Sequence, residues 1–181
     1  VDMIPIDDRN VYRCNKTGPV HFSPLFNKYN FSKVYSGLFG GVVSFTREQF
    51  RRVNGASNLY FGWGAGDDDL RNRVGNKKLP LLRKSLVYGI YDMVNHTGVK
   101  EEGWDKNPDR LKIYGTGRLR QDVNGLNSLL YSVDWLRTSQ IYTWIGIGFN
   151  ETAVIEAVPA HLRMADKKDL NYAKAKFIII S

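Results

Sequence analysis

Phe61-Gly62-Trp63-Gly64-Ala65-Gly66-Asp67-Asp68-Asp69 is the stretch on which the reading of this chain turns. Small residues on both sides of one tryptophan give a backbone that can bend sharply and a flat apolar ring against which a sugar can stack. Three consecutive carboxylates repel one another unless something answers them. On the residues alone two answers stay open. Asp67 through Val74 can form a helix that stops at Gly75, and acids at the positive end of its dipole are then merely an over-capped turn. Alternatively, crowding raises the proton affinity of one carboxylate until it can accept a proton from a sugar hydroxyl.

The flanking sequence sets this run in a mixed α/β chain. Upstream, Thr46-Arg47-Glu48-Gln49 is a capping box opening a short helix that Asn54-Gly55 ends. Before it, Leu38 to Phe45 reads as a buried strand whose paired glycines, Gly40 and Gly41, let something approach the backbone closely. Downstream, Leu79 to Tyr91 and Ile141 to Phe149 read as strands. Between them, His96 to Arg120 is polar and punctuated by Gly and Pro, long enough to be a mobile lid. Beyond Pro159, Ala160 to Lys176 is a charged amphipathic segment expected to be a terminal helix. The sequence holds no internal repeat and no low-complexity tract.

Composition bounds the function more loosely. With 181 residues, 43% of them hydrophobic, the chain can bury one modest core. Its 26 Lys and Arg against 18 Asp and Glu give a net charge of +8, which suits an anionic partner such as a nucleic acid, a membrane surface or a nucleotide diphosphate. The cations are scattered, gathering only in Arg71 to Lys84 and Lys167 to Lys176 without a nucleic-acid motif, so no nucleic acid partner is expected. No run approaches the ~20 apolar residues of a membrane span, so any membrane attachment is expected through an N-terminal anchor outside this chain. Val1-Asp2-Met3-Ile4-Pro5-Ile6 reads like a buried strand running into a turn, and a fragment is expected. Cys14, the single cysteine, has no internal disulfide partner. Sequons at Asn15, Asn30, Asn95 and Asn150 lean toward a secretory compartment.

Several separated segments, in order, carry a resemblance. Val1 to Asn10, Tyr12-Arg13-Cys14, Phe39-Gly40-Gly41-Val42, Asn54-Gly55, the Trp63 and triple-Asp run, Asn72-Arg73, Met93-Val94-Asn95-His96, Asn107-Pro108-Asp109-Arg110 and Asn124 to Leu129 occur as in the β-1,4-galactosyltransferase family. The chain resembles that family over about residues 1–149, and the extension 150–181 has no counterpart in the resemblance. The fold this implies is the C-terminal, acceptor-binding portion of an α/β glycosyltransferase domain of GT-A type, a mixed sheet with flanking helices and a long mobile loop. The activity it implies is inverting transfer of galactose or N-acetylgalactosamine from a UDP-sugar to O4 of a terminal N-acetylglucosamine, in β-1,4 linkage, on a glycoprotein or glycolipid. The compartment it implies is the Golgi lumen, with the full-length protein a type II membrane protein.

The resemblance also implies roles. Manganese would be held by Asp2, Met93 and His96, although a thioether is softer than that ion prefers. Asp67 matches the catalytic base. Asp68, Trp63, Gly64, Arg110, Leu111 and Tyr114 match acceptor-binding positions, with Leu111 standing where the family has an aromatic. Asp2, Lys28, Tyr35, Leu38, Gly41 and Trp63 match donor-binding positions. Cys14 matches a cysteine bonded to a partner upstream of Val1. Two departures bear on activity. Gly66 stands where the family has Glu, which admits an alternative reading as an inactive sugar-binding relative. Leu38 stands where galactose-specific members have Tyr and invertebrate N-acetylgalactosamine-preferring members have an aliphatic residue, leaving room for a 2-acetamido group.

Overall fold

The computed structural model describes residues 3–94 and 107–162, together with the backbone of 176–180. In chain order the strands are β1 (Met3–Pro5), β2 (Val20–His21), β3 (Leu25–Phe26), β4 (Val43–Ser44), β5 (Leu82–Arg83), β6 (Ile90–Met93), β7 (Ser132–Thr138), β8 (Thr143–Gly148) and β9 (Lys176–Ile180). The α-helices are α1 (Arg47–Arg52), α2 (Gly66–Asn76), α3 (Arg110–Gly115), α4 (Gly117–Arg120) and α5 (Glu151–Glu156). Three mixed or antiparallel sheets result, in strand orders β1-β6-β3, β4-β2-β5 and β7-β8-β9. Among the described residues no helix is long and apolar enough to cross a membrane.

Local sequence signals produce the first two helices. The Thr46 hydroxyl accepts from the Gln49 backbone N–H at 3.2 Å, and the Gln49 side chain accepts from the Thr46 N–H at 2.9 Å, closing the expected capping box at the start of α1. Asn54 and Gly55, both left-handed, end that helix as expected. Helix α2 runs past its expected stop. Gly75 lies in an open position of its last turn, with nothing within 4 Å of where a side chain would begin. The chain reverses instead at left-handed Lys78, whose N–H bonds to the Gly75 carbonyl.

Elsewhere tertiary packing overrides the local reading. Of Leu38 to Phe45, only β4 is strand, because Gly41 takes a φ of 86° and the preceding residues curl beneath α2. Leu79 to Tyr91 splits into β5 and β6 around a turn closed by the Gly89 N–H on the Ser85 carbonyl at 2.7 Å. The second half of the expected lid is helical, as α3 and α4. Ile113 is buried there against Leu59 and Val158, and the buried Arg120 guanidinium donates to the Ile113 carbonyl and the Thr116 hydroxyl. Residues 95–106, the rest of that stretch, lie outside the described residues. Of the expected terminal helix, Ala160–Leu162 form a 3-10 turn and Lys176 opens β9, while 163–175 lie outside the described residues. Helix α5, capped by the Asn150 side chain on the Ala153 N–H at 3.0 Å, was not anticipated, nor was β7.

The apolar core is divided into three clusters, centred on Phe22 and Tyr91, on Phe39, Val53 and Val74, and on Leu59, Ile113 and Val158. A polar knot joins the last two. Arg73, 1% exposed, donates to Asp69 at 2.8 Å and to the Asn124 carbonyl at 2.8 Å. Asn54 donates to the Gln121 carbonyl and the Asn127 side chain, both at 2.8 Å, and Gln121 donates to the Arg73 carbonyl at 3.1 Å. Removing one member of a buried ion pair leaves its partner's charge desolvated. Arg73→Met is therefore expected to lower folding stability by about 3–5 kcal/mol in denaturant titrations, and Asp69→Leu combined with Arg73→Met by clearly less. Equal loss in the single and double variants would contradict that account.

Candidate active site

Helix α2 fans the three aspartates apart, since successive helical residues point about 100° from one another. Asp69 turns inward to Arg73 and fits against Gly117, where a Cβ would strike its carboxylate. Asp68 accepts from the Tyr35 hydroxyl at 2.9 Å. Asp67 stays exposed, accepts from the Asp68 backbone N–H at 3.0 Å, and rests on Gly40, where any Cβ would collide with its carboxylate. One of the three is thus structural and two face outward. The Asp67 carboxyl is pushed above the ordinary carboxylate range, first by loss of water and then by the Asp68 charge. The residue nonetheless keeps part of its surface open to solvent.

The backbone at the helix entrance is bent as the glycines foretold. Gly62 and Gly64 take φ values of 84° and 119°, and Ala65, the residue before the helix, is left-handed at 63°. Between them Trp63 projects with 54% of its surface exposed. Its carbonyl accepts from the Asn107 N–H at 3.1 Å, and the Arg110 stem lies against Gly64, so the start of α3 is strapped to this loop. Arg110 donates to the Asn107 carbonyl at 3.2 Å. Leu111 is exposed and Tyr114 half-buried on the same short helix. At Gly66 the backbone is unstrained, and a Cβ would meet the Tyr60 side chain at 3.5 Å, an ordinary contact. The fold therefore accepts a Cβ here without a clash.

The turn from Tyr35 to Gly41 connects the aspartates to β1. Arg83 donates to the Leu38 carbonyl at 2.5 Å, to the Ser36 carbonyl at 3.2 Å and to His21 Nδ1 at 2.5 Å. With Nδ1 accepting, His21 Nε2 carries the proton and donates it to the Gly40 carbonyl at 2.9 Å. The Ser23 hydroxyl accepts from the Val42 N–H at 2.8 Å. Gly40 thus carries Asp67, while the adjacent Gly41 abuts the Met3 thioether. Met3 pairs with Met93 across β1 and β6. Two neighbouring glycines therefore touch both Asp67 and the strand end beside Met93.

Met93 is half-buried, and its backbone N–H donates to the Asn27 side chain at 2.8 Å. Lys28, one residue on, is exposed, as is Tyr35, while Leu38 is buried. Asp2 and His96 lie outside the described residues, so of the three expected metal ligands only Met93 is placed. Among the described residues no cluster of three His, Cys, Asp or Glu side chains is suited to a metal. Cys14 is exposed, its thiol donating to the Phe45 carbonyl at 3.0 Å. His21, Ser23 and Arg83 were missed in the sequence. A lone histidine in Val20-His21-Phe22-Ser23 looks like any strand residue, and its partners are 19 and 62 positions away.

This arrangement, an α/β scaffold with a glycine-supported carboxylate behind an exposed indole, is that of a glycosyltransferase domain of GT-A type. It superposes with a TM-score of 0.61 on a crystallised mutant of Drosophila β-1,4-galactosyltransferase 7 in complex with manganese, UDP-Gal and xylobiose, at 25% identity over 77% of this chain and 59% of that one. Residues 20–97 match a family described as the N-terminal domain of galactosyltransferase, a stretch that includes the aspartate run and Met93 to His96. Over its full length the chain is 50% identical to a Lymnaea stagnalis protein named β-N-acetyl-D-glucosaminide β-1,4-N-acetylglucosaminyl-transferase, covering 47% of that protein. It is 38% identical to mouse β-1,4-galactosyltransferase 1 over 81% of this chain and 36% of that one. The chain belongs to the β-1,4-galactosyltransferase family, and it spans less than half the length of these curated relatives.

Two predictions follow from the clamp on Gly40. Burial holds the His21 pKa down from 6.5 to about 4, with the Gly40 carbonyl opposing the shift and the Arg83 charge adding to it. The unfolded chain takes up that proton near pH 6.5 and the folded chain resists until about pH 4. The stability His21 confers is hence complete above 6.5 and lost as pH falls toward 4, a change of roughly 3 kcal/mol. Thermal melts across that interval should show the decline, and His21→Gln should flatten it. Separately, Gly40→Ala should displace the Asp67 carboxylate from its resting place. An Asp67 side-chain carboxyl NMR resonance unchanged between the folded Gly40→Ala protein and wild type would contradict the contact.

Proposed function

We propose that the chain is the acceptor-side part of an inverting, UDP-sugar-dependent β-1,4-glycosyltransferase acting on terminal N-acetylglucosamine. The observation that carries this reading is the exposed Asp67 carboxylate of raised proton affinity, held on Gly40 one residue from the glycine that abuts Met3. Asp67 takes the proton of the acceptor O4 while that oxygen forms its bond to the donor's anomeric carbon. The bond from that carbon to the diphosphate oxygen breaks, UDP leaves with the electron pair, and a single displacement turns an α-linked donor into a β-linked product. Asp68, steadied by Tyr35, is positioned to bind acceptor hydroxyls, and Trp63 offers the stacking face. Asp2, Met93 and His96 would hold manganese, which when bound offsets the charge of the departing diphosphate. The donor side would further use Lys28, Tyr35, Leu38 and Gly41, and the acceptor side Gly64, Arg110, Leu111 and Tyr114.

For the donor we favour a 2-acetamido sugar over galactose. Leu38 lacks the hydroxyl that would crowd the acetamido group, and the Lymnaea relative's name specifies N-acetylglucosamine transfer. UDP-N-acetylgalactosamine, UDP-N-acetylglucosamine and UDP-galactose, assayed with manganese and a β-N-acetylglucosaminide acceptor in the complete polypeptide, distinguish these cases. A strong galactose preference would overturn the donor reading. A second reading, sugar binding without turnover, is favoured by Gly66 alone. Because a Cβ there meets no clash and the φ is not positive, Gly66→Glu should fold and should raise transfer if the missing carboxylate is what limits it. A Golgi-lumen setting is consistent with the exposed Asn15 and Asn30 sequons.

Asp67→Asn is expected to reduce kcat by about 100- to 10,000-fold while leaving the thermal midpoint within a few degrees of wild type. The acid limb of the kcat/KM profile should lie above the ordinary carboxylate range, and Asp68→Asn, which removes the neighbouring charge, should move it downward. Retention of full transfer by Asp67→Asn would end the assignment of Asp67 as base.

A further inference from the structure

The hairpin of β7 and β8 carries a cleft that the proposed transfer reaction does not use. Its volume is about 560 Å³, and it is lined by Trp135, Arg137, Thr138, Ser139, Tyr142 and Trp144. The register explains how these meet. Trp135 stands opposite Gly146 and Arg137 opposite Trp144, so both pairs, with Tyr142 two residues before Trp144, fall on one face of the sheet. A bulge between Val133 and Trp135 sets this phase. Gly146 is needed beneath Trp135, because a Cβ there would enter the indole ring. The Arg137 guanidinium stands 5.4 Å from the Trp135 ring centre, and the Tyr142 and Trp144 rings are 5.8 Å apart and tilted by 59°. The Ser139 N–H on the Tyr142 carbonyl at 2.8 Å closes the turn that forms the cleft's end.

We infer that this cleft is a second saccharide-binding site, separate from the Asp67 centre. Pyranose rings present apolar C–H faces edged by hydroxyls, and flat indole and phenol rings edged by hydroxyl and guanidinium donors are the complementary surface. The volume lies within the range of small-ligand sites. One cation among the lining residues is too few for a nucleic acid backbone, which is bound by several. The opposite end of the hairpin meets the acceptor loop, where Phe149 stacks on Phe61 at 6.1 Å, two residues before Trp63. Trp144 is five residues from Phe149 along the strand, roughly 17 Å at strand rise. A glycan bound in the cleft is therefore either an inner portion of the acceptor or a separate chain, and the same sugar chemistry serves both.

The experiment is a tryptophan-fluorescence and saturation-transfer NMR titration with chitotetraose, done on the complete polypeptide and repeated with Trp63→Ala to silence the acceptor loop. Saturable binding is expected to survive Trp63→Ala and to weaken at least tenfold in Trp135→Ala and Trp144→Ala. Trp135→Phe and Trp144→Phe, which keep a planar ring, should retain most of it, and exposed Arg137→Ala should weaken it several-fold without loss of fold. Loss with Trp63→Ala alone, or indifference to the Trp135, Trp144 and Arg137 changes, overturns the site. Because the readout is binding, it stands whether or not Asp67 proves to be the base. Comparing KM for a monosaccharide and for an extended acceptor in Arg137→Ala then tells the sources apart: a rise confined to the extended acceptor marks the acceptor's inner sugars, and no change marks a separate glycan.

Discussion

The buried pair of Asp69 and Arg73 is the constraint from which the rest of the site takes its orientation. Both side chains are at most 2% exposed, and burying two charges is costly unless every remaining hydrogen-bonding position finds a partner. Arg73 meets much of that demand with the Asn124 and Gly55 carbonyls, groups from segments 51 and 18 positions away. Such a pair adds little net stability compared with apolar residues of similar size. Its effect is to fix rotation: with Asp69 bound inward, the helix has one way to point Asp67 and Asp68, and that is outward past Gly40 and Tyr35.

A second polar clamp acts on the opposite wall. The three apolar clusters are small, and the buried polar side chains, among them His21, Arg73, Arg120 and Asn124, are as prominent as the apolar ones. The turn carrying Tyr35, Leu38, Gly40 and Gly41 has almost no regular structure to hold it, yet its carbonyls at Ser36, Leu38 and Gly40 are each taken by Arg83 or His21. Directional bonds to the backbone position a loop without adding side-chain volume near a ligand. That suits a surface where a carboxylate must approach a backbone as closely as Asp67 approaches Gly40.

What was legible in the sequence was what depends on neighbours a few residues apart. The Thr46–Gln49 box, the Asn54-Gly55 stop and the helix opening at the aspartates are local, and they are where the pattern put them. The division of labour among Asp67, Asp68 and Asp69 was not legible, because it is decided by Gly40, Tyr35, Arg73 and Gly117, none adjacent in sequence. The same reason hid the helices α3 and α4: a polar stretch with Gly115 and Gly117 reads as a loop until Ile113 finds Leu59 and Val158. Strand β7 escaped because its residues are almost all exposed and show no alternation between buried and open positions. Met93 was singled out by family resemblance alone, since a thioether is not a side chain that metal chemistry or periodicity points to.

Gly66 separates what the fold demands from what the chemistry selects. A glycine forced by structure shows it, as Gly40, Gly41, Gly117 and Gly146 do, through a collision or a positive φ. Gly66 shows neither. It is the first residue of an α-helix, without a positive φ, and a Cβ there would make only ordinary contact with Tyr60, a position where an acidic side chain would even be favoured by the helix dipole. The absence of a fourth carboxylate is therefore a feature of the site and not of the scaffold. It lowers the negative charge facing Asp67 and leaves Asp68 as the main like-charged neighbour raising its proton affinity. The Asp67 carboxyl is thus raised first by partial loss of water and then by a single adjacent aspartate.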